Sequence, residues 1–223
     1  MNFENEKIFA KGIGFYKVFI FFVLGSILGS FYEEILFFIQ TKEWTCRHDL
    51  IYGPFSTLYG FGTSLFLILL GPKNEKRGII KTFFLASFIG GITEYLVGLF
   101  SEFFFKIRFW DYSHDFLNIG GKTTLPYALI WGLFATLFLK FLYPKVSNLI
   151  EKIPMAIGKA ICLVVFVLMI LNLFISYTAF FRMLERNKGQ EPKTFLGQVY
   201  DKVYSDDFMY QKFPILKGKI SQN

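Results

Sequence analysis

The chain has 223 residues, 53% of them hydrophobic and 21% aromatic, with 31 Phe; only 18% are charged. A soluble domain holds about 45–50% apolar residues and about a quarter charged, so this composition argues against a water-soluble globule. The net charge of +7 does not point to nucleic acid either, because the basic residues flank apolar blocks instead of forming one patch.

The apolar residues fall into five blocks, at approximately 15–39, 54–70, 79–105, 125–143 and 157–181. About 20 residues suffice to cross a ~30 Å hydrocarbon layer as a helix, and an isolated strand could not satisfy its backbone in lipid. The expected fold is therefore all-α: a polytopic transmembrane helix bundle of about five helices over residues 1–181, followed by a polar tail over 182–223. The first block is too long for the apolar core of a signal peptide and has no small-residue cleavage site after it, so it is expected to remain in the mature protein. The second block is short, and residues 50–52 can extend it. Pro54 and Pro126 stand at block starts, where a missing N–H costs nothing. Pro72 and Pro144 stand just past block ends, where they are expected to stop a helix. Cys46 lies in a loop and Cys162 inside an apolar block, a pattern that predicts neither a disulfide framework nor a zinc site.

Basic residues set the expected orientation. The N-terminus and the second and fourth loops carry Lys7, Lys11, Lys17, Lys73, Lys76, Arg77, Lys81, Lys145, Lys152 and Lys159, against Lys42, Arg47, Lys106, Arg108 and Lys122 in the first and third loops. This bias favours a cytoplasmic N-terminus, although Arg182, Arg186, Lys188 and Lys193 of the tail then lie outside. After Pro192, the residues Phe195, Leu196, Val199, Tyr200, Val203 and Tyr204 recur at helical spacing. That predicts an amphipathic helix, suited to the membrane surface, to a partner's groove or to its own bundle.

Blocks two and four align without a gap. Pro54-Phe55 matches Pro126-Tyr127, Tyr59-Gly60 matches Trp131-Gly132, Leu65-Phe66-Leu67 matches Leu137-Phe138-Leu139, and Pro72 matches Pro144. Block one carries Gly25, Gly29 and Glu33 at four-residue steps, with Ser26, Ser30 and Glu34 one position on; block three carries Ser87, Gly91, Glu94, Gly98 and Glu102. Each is a face of small residues ending in carboxylates, and small faces let helices approach closely in lipid. Trp44 and Trp110 follow in the next loops. Two helix hairpins in the same orientation, related by a pseudo-two-fold axis along the membrane normal, are expected, plus a fifth helix. Parallel repeats of this kind occur in transporters.

Glu33, Glu34, Glu94 and Glu102 lie within apolar blocks. A carboxylate at membrane depth costs roughly 2.5–3.5 kcal/mol on insertion scales, so it normally faces a cavity or a partner. One reading is a polar pocket centred on Glu33 and Glu94 that binds a cation, a proton or a hydrogen-bonding headgroup. The other is pairing with Arg47, Arg108 or Lys122, which locks the bundle; for Glu34 and Glu102, pairing or an interfacial position leads. Tyr52-Gly53-Pro54-Phe55 and Tyr59-Gly60-Phe61-Gly62 permit an irregular entry or a close backbone contact, with Tyr52 and Tyr59 as ligand candidates. In the third loop, Arg108, Trp110, Asp111 and Lys122 form either an ordered cap or a substrate-contacting lid, and Arg108 and Asp111 stand close enough in sequence to pair.

The chain contains neither a P-loop nor H-E-x-x-H, and His48 and His114 both sit in loops. Glu33-Glu34 lacks the following Arg of intramembrane CAAX-type proteases, since position 38 is Phe. No enzyme activity and no cofactor are expected.

The motifs Gly29-x-x-x-Glu33, Tyr52-Gly53-Pro54-Phe55, Tyr59-Gly60-Phe61-Gly62, Glu94-Tyr95-x-x-Gly98, Trp110-Asp111-Tyr112-Ser113, Asn118-x-x-Gly121-Lys122 and Trp131-Gly132 resemble the CmpB-like bacterial membrane proteins described as putative type IV ABC-transporter permeases. The resemblance spans residues 19–143 and leaves out the fifth helix and tail. The family usually shows Gly-Trp at Gly29-Ser30 and Pro-Phe-Cys-Pro at Pro54-Phe55-Ser56-Thr57. The resemblance implies a permease subunit in the bacterial cytoplasmic membrane, partnered by a separate ATPase subunit and by further copies of itself. The alternative is a non-transporting scaffold or regulatory subunit that binds a partner through its tail.

Overall fold

A computed structural model of the chain describes residues 8–71 and 77–216; Lys7, Pro72, Lys73 and Lys76 lie outside the described residues. In chain order the elements begin with α1 (Phe15–Thr41), the shorter α2 (Thr57–Leu70) and α3 (Ile79–Phe105). A small hairpin of β1 (Asn118–Ile119) and β2 (Thr123–Thr124) precedes α4 (Leu125–Leu137), and a π turn (Phe138–Leu142) joins α4 to α5 (Tyr143–Ile150). There follow α6 (Met155–Asn187), α7 (Phe195–Val203), α8 (Asp206–Lys212) and a 3₁₀ turn, Pro214–Leu216. The fold is an all-α bundle.

Among the described residues, four helices are long and apolar enough to cross a membrane: α1, α3, the continuous Leu125–Ile150 and α6. The second block is different. It turns helical only at Thr57, and its 14 residues make about 21 Å of helix at 1.5 Å per residue, short of a ~30 Å core. The reason lies in residues 49–56. Gly53 takes φ +77°, Asp49 N–H donates to the Phe55 carbonyl at 3.0 Å, and the Asp49 carboxylate takes the first N–H of α2, Thr57 N, at 2.6 Å. A carboxylate at a helix N-terminus is favoured by the macrodipole. Irregular backbone is tolerated in a membrane protein only where protein surrounds it, and here α6 supplies the partners. Ser176 Oγ accepts from Ile51 N–H at 2.9 Å, and the Asn172 amide bonds both Tyr52 N–H (3.2 Å) and the Tyr52 carbonyl (2.7 Å).

Pro126 sits in the first turn of α4 as expected, with Thr124 Oγ1 accepting from Tyr127 N–H. Pro144 does not stop its helix. Its ring has no N–H and displaces the carbonyl a turn earlier; the strain is absorbed by the π turn just before it, and the helix runs on to Ile150.

α1 packs along α2 and α3 along α4, and the same contacts occur in both hairpins. A Cβ added at Gly60 of α2 would stand 2.2 Å from Ser26 Oγ of α1, and one at Gly132 of α4 would stand 2.0 Å from Ser87 Oγ of α3. Gly29 lies under the Tyr59 ring as Gly90 lies under Trp131. These pairs settle the register that the small-residue faces left open: Ser26, Gly29 and Glu33 correspond to Ser87, Gly90 and Glu94.

α6 joins the two ends. At one end Phe9, Phe19, Phe21, Tyr143, Ile150 and Cys162 form a core. There the fully buried Lys17 Nζ donates to Ser147 Oγ at 2.5 Å and to Glu151 at 2.7 Å. At the other end the tail folds back onto its own bundle. Tyr200, Tyr204, Met209, Phe213 and Leu216 are buried with Ile51, Phe105, Ile107 and Phe180, while Arg182 and Arg186 of α6 both hold Asp201 at 2.8 Å. Of the apolar pattern of this segment, Tyr200 and Tyr204 are thus used internally, while Phe195, Leu196 and Val203 remain exposed.

Candidate functional site

A cavity of about 1030 Å³ lies between α1, α2, α3, α4 and α6. Its wall reaches from Val146 at the Lys17 end to Leu216 at the tail end. Glu33, Tyr59, Glu94 and Trp110 line it; Tyr52, Arg108, Asp111 and Lys122 do not.

Glu33 projects from α1 where the Gly25–Gly29 face has brought α2 close. Its Oε2 lies 3.6 Å from Arg47 Nε, Tyr59 of α2 stands beside it, and the side chain keeps 27% of its exposure, as expected of a group on a cavity wall. Glu94 is buried at 5% exposure. It accepts from Thr123 Oγ1 at 2.8 Å and from the Tyr112 hydroxyl at 3.3 Å, and Trp131 of α4 reaches it as well. Each acidic residue is therefore met by the aromatic ring of its own hairpin partner, Tyr59 for Glu33 and Trp131 for Glu94. Both carboxylates face one cavity and interact electrostatically across it. Burial, then the neighbouring Glu94, holds the Tyr112 hydroxyl far above the usual tyrosine range.

The remaining sequence candidates form a separate cluster. Glu102 takes Lys122 at 2.6 Å and Arg108 at 2.8 Å, and Arg108 stands 3.7 Å from Asp111. Apart from Lys122, whose side chain is 11% exposed, these groups are 36–50% exposed, where ion pairs contribute roughly 0–1 kcal/mol. Together with the β1–β2 hairpin, Trp110 Nε1–H donating to the Lys122 carbonyl (2.8 Å) and Tyr112 N–H donating to the Gly121 carbonyl (2.8 Å), they make an ordered cap over the α3–α4 end. Tyr52 is half exposed and its hydroxyl meets that of Tyr204 at 2.8 Å, tying the first loop to the tail.

Folding also brings Glu34 and Arg47, which the sequence reading offered for pairing or the interface, together with Cys46, His48 and Asp49, to which it assigned no role. Glu34 Oε1 lies 2.8 Å from His48 Nε2 and accepts from Arg47 N–H at 3.4 Å; Cys46 stands beside them. Burial alone would raise the Cys46 thiol, but His48 outweighs it and holds the thiol below its usual range. Asp49 is pushed up to about 6 by burial, against two hydrogen bonds from Thr57, and its Oδ1 has no partner among the described residues. The only local signal for this cluster was Cys46-x-His48 in the loop after α1, whose last two turns follow Glu33-Glu34.

A family model described as "Putative ABC-transporter type IV" matches residues 20–177. The chain belongs to this family. It is a multi-pass membrane protein of a transporter type. No curated protein and no solved structure matches the chain. The match corrects the extent read from motifs alone, which ended at residue 143: most of α6 lies within the family, including Asn172 and Ser176, whose side chains hold the irregular first loop.

Proposed function

We propose that this chain is a transport-associated membrane subunit that binds a cationic substrate or coupling ion in the pocket centred on Glu33 and Glu94. One observation carries the reading: matching positions of two repeated hairpins place a carboxylate each on the wall of a single cavity. Among the described residues only Arg47 lies within ion-pair range of the two, so a cation entering the cavity meets two carboxyl groups beside a single guanidinium. Tyr59, Trp110, Tyr112 and Trp131 on the same wall favour a cation with apolar substituents through their ring faces. The volume suits a ligand of ordinary small-molecule size. In this reading Tyr59 and Trp110 contact the ligand, Arg108, Asp111 and Lys122 hold the cap, and Tyr52 holds the tail.

The subunit has no P-loop, so a separate ATPase subunit supplies the energy and further copies of the chain complete the path. Access alternates by movement of one hairpin against the other. The chain sits in the bacterial cytoplasmic membrane with its N-terminus cytoplasmic, which puts the carboxylate end and the tail outside. The tail bears on the scaffold alternative in both directions: Tyr200 and Tyr204 are packed on its own bundle, whereas Phe195, Leu196 and Val203 stay exposed and offer a partner an apolar strip.

The test is binding of tetraphenylphosphonium to the purified protein in detergent, followed by equilibrium dialysis. Saturable binding, weakened about tenfold or more in Glu33→Gln and in Glu94→Gln, is the expected result. Binding that is absent, or equal in all three proteins, removes the pocket from the mechanism.

A further inference from the structure

We infer that Glu34, Cys46 and His48 form a binding site for a zinc-class divalent transition-metal ion at the edge of the cavity. The ligand atoms of the three side chains, a carboxylate oxygen, a thiol sulfur and an imidazole nitrogen, all lie within 4.8 Å of one another. Donors of one tetrahedral ion with bonds of about 2.0–2.3 Å stand roughly 3.2–3.8 Å apart, so small side-chain adjustments bring the three onto a shared ion. Thiolate with imidazole and carboxylate is a donor set for zinc and its neighbours and not for magnesium or calcium.

Two details favour convergence on a shared ion over simple pairing. His48 Nε2 is buried and stands 2.8 Å from Glu34 Oε1, but without the alignment of a hydrogen bond. Arg47 N–H donates to Glu34 Oε1, an outer hydrogen bond of the kind that orients a metal-ligating carboxylate. Glu34 comes from the last turns of α1, and Cys46 and His48 from the loop that α6 pins through Asn172 and Ser176. The site is therefore held between rigid elements.

Cys46 and His48 also line the cavity. Three protein ligands leave a fourth position open, so the ion can take water or a cavity molecule there. This inference does not rest on the carboxylate-pocket reading, since neither Glu33 nor Glu94 is a ligand. The sequence pattern alone argued against a zinc site because Cys46 lies in a loop and Cys162 inside an apolar block; the third ligand is a glutamate contributed by a transmembrane helix.

Titration of the reduced, full-length protein in detergent with Co(II) tests the site. The expected result is one equivalent bound, with a thiolate-to-cobalt charge-transfer band and the intense visible bands of low-symmetry coordination. The charge-transfer band persists in Cys162→Ser and disappears in Cys46→Ser, and affinity falls at least about tenfold in His48→Ala and Glu34→Gln. Zn(II) displaces the cobalt. A wild-type protein that gives no charge-transfer band, or a band that survives in Cys46→Ser, overturns the assignment.

Discussion

Tyr59 of α2 and Trp131 of α4 lie against each other with ring centroids 5.0 Å apart and planes inclined at 31°. They are the same position in two copies of one helix hairpin. Each covers a glycine of the helix it packs on, Gly29 or Gly90, and each reaches that helix's carboxylate, Glu33 or Glu94. The aromatic pair is thus both the seam between the hairpins and the link between their acidic groups. Sliding one hairpin past the other has to move these rings.

Close helix approach at the two equivalent glycines should differ in its tolerance. A Cβ at Gly132 meets Ser87 Oγ and also the Phe83 carbonyl at 2.7 Å, and a backbone atom cannot rotate away; at Gly60 the nearest atoms belong to the side chains of Ser26 and Phe22. Gly132→Ala is expected to cost about 1–3 kcal/mol by overpacking, and Gly60→Ala less. Gly78→Ala, where nothing lies within 4 Å, should be nearly neutral. Thermal unfolding in detergent ranks the three.

Asn172 carries the backbone of the first loop. Asn172→Ala removes the partners of Tyr52 N–H and the Tyr52 carbonyl and should cost about 2–4 kcal/mol, because each buried group left unsatisfied costs about 1–3 kcal/mol. Hydrogen–deuterium exchange over residues 49–55 should accelerate in the variant. Unchanged protection there would mean that the loop is held by something else.

The Lys17–Glu151 pair should respond unequally to loss of either partner. Lys17 is fully buried, whereas Glu151 keeps 28% of its side-chain exposure. Glu151→Ala strands a buried ammonium, a change in the range of about 3–5 kcal/mol for a broken buried pair. Lys17→Met leaves a carboxylate that water can reach and should cost markedly less. Comparing the melting temperatures of the two variants checks the order.

Docking of the tail should depend on pH. Hydrogen bonds from Arg182 and then Arg186, working against a small burial penalty, hold the Asp201 carboxyl below the ordinary Asp value of 3.8. A depressed folded-state pKa means that its contribution is fully present above that ordinary value and fades as pH falls through the lowered one. The tail should stay docked at neutral pH and loosen only in acid below about 3.8, with Asp201→Asn loosening it at neutral pH. Limited proteolysis between α6 and α7 reads both effects.

Much of this was legible in the chain itself. Apolar block lengths specified α1, α3, α4 and α6, since helix and bilayer dimensions leave few alternatives, and Pro, Gly and Pro in one register exposed the kinship of α2 and α4. Glu33 and Glu94 were legible because ionisable groups are rare at membrane depth. Pro144 misled, because a π turn can absorb a proline that local rules treat as a stop.

Periodicity along the chain determined which segments are helices, which face of each is small and which side chains are too polar to meet lipid. It left undecided which small residue of α1 corresponds to which of α3, because faces of Gly and Ser look alike at several offsets; only the ridges of Tyr59 and Trp131 seated on Gly29 and Gly90 select one. The anchoring of the irregular residues 49–56, the return of the tail and the meeting of Glu34 with Cys46 and His48 likewise depend on partners many residues away. Local spacing carries no record of such contacts, so the tertiary structure alone decided them.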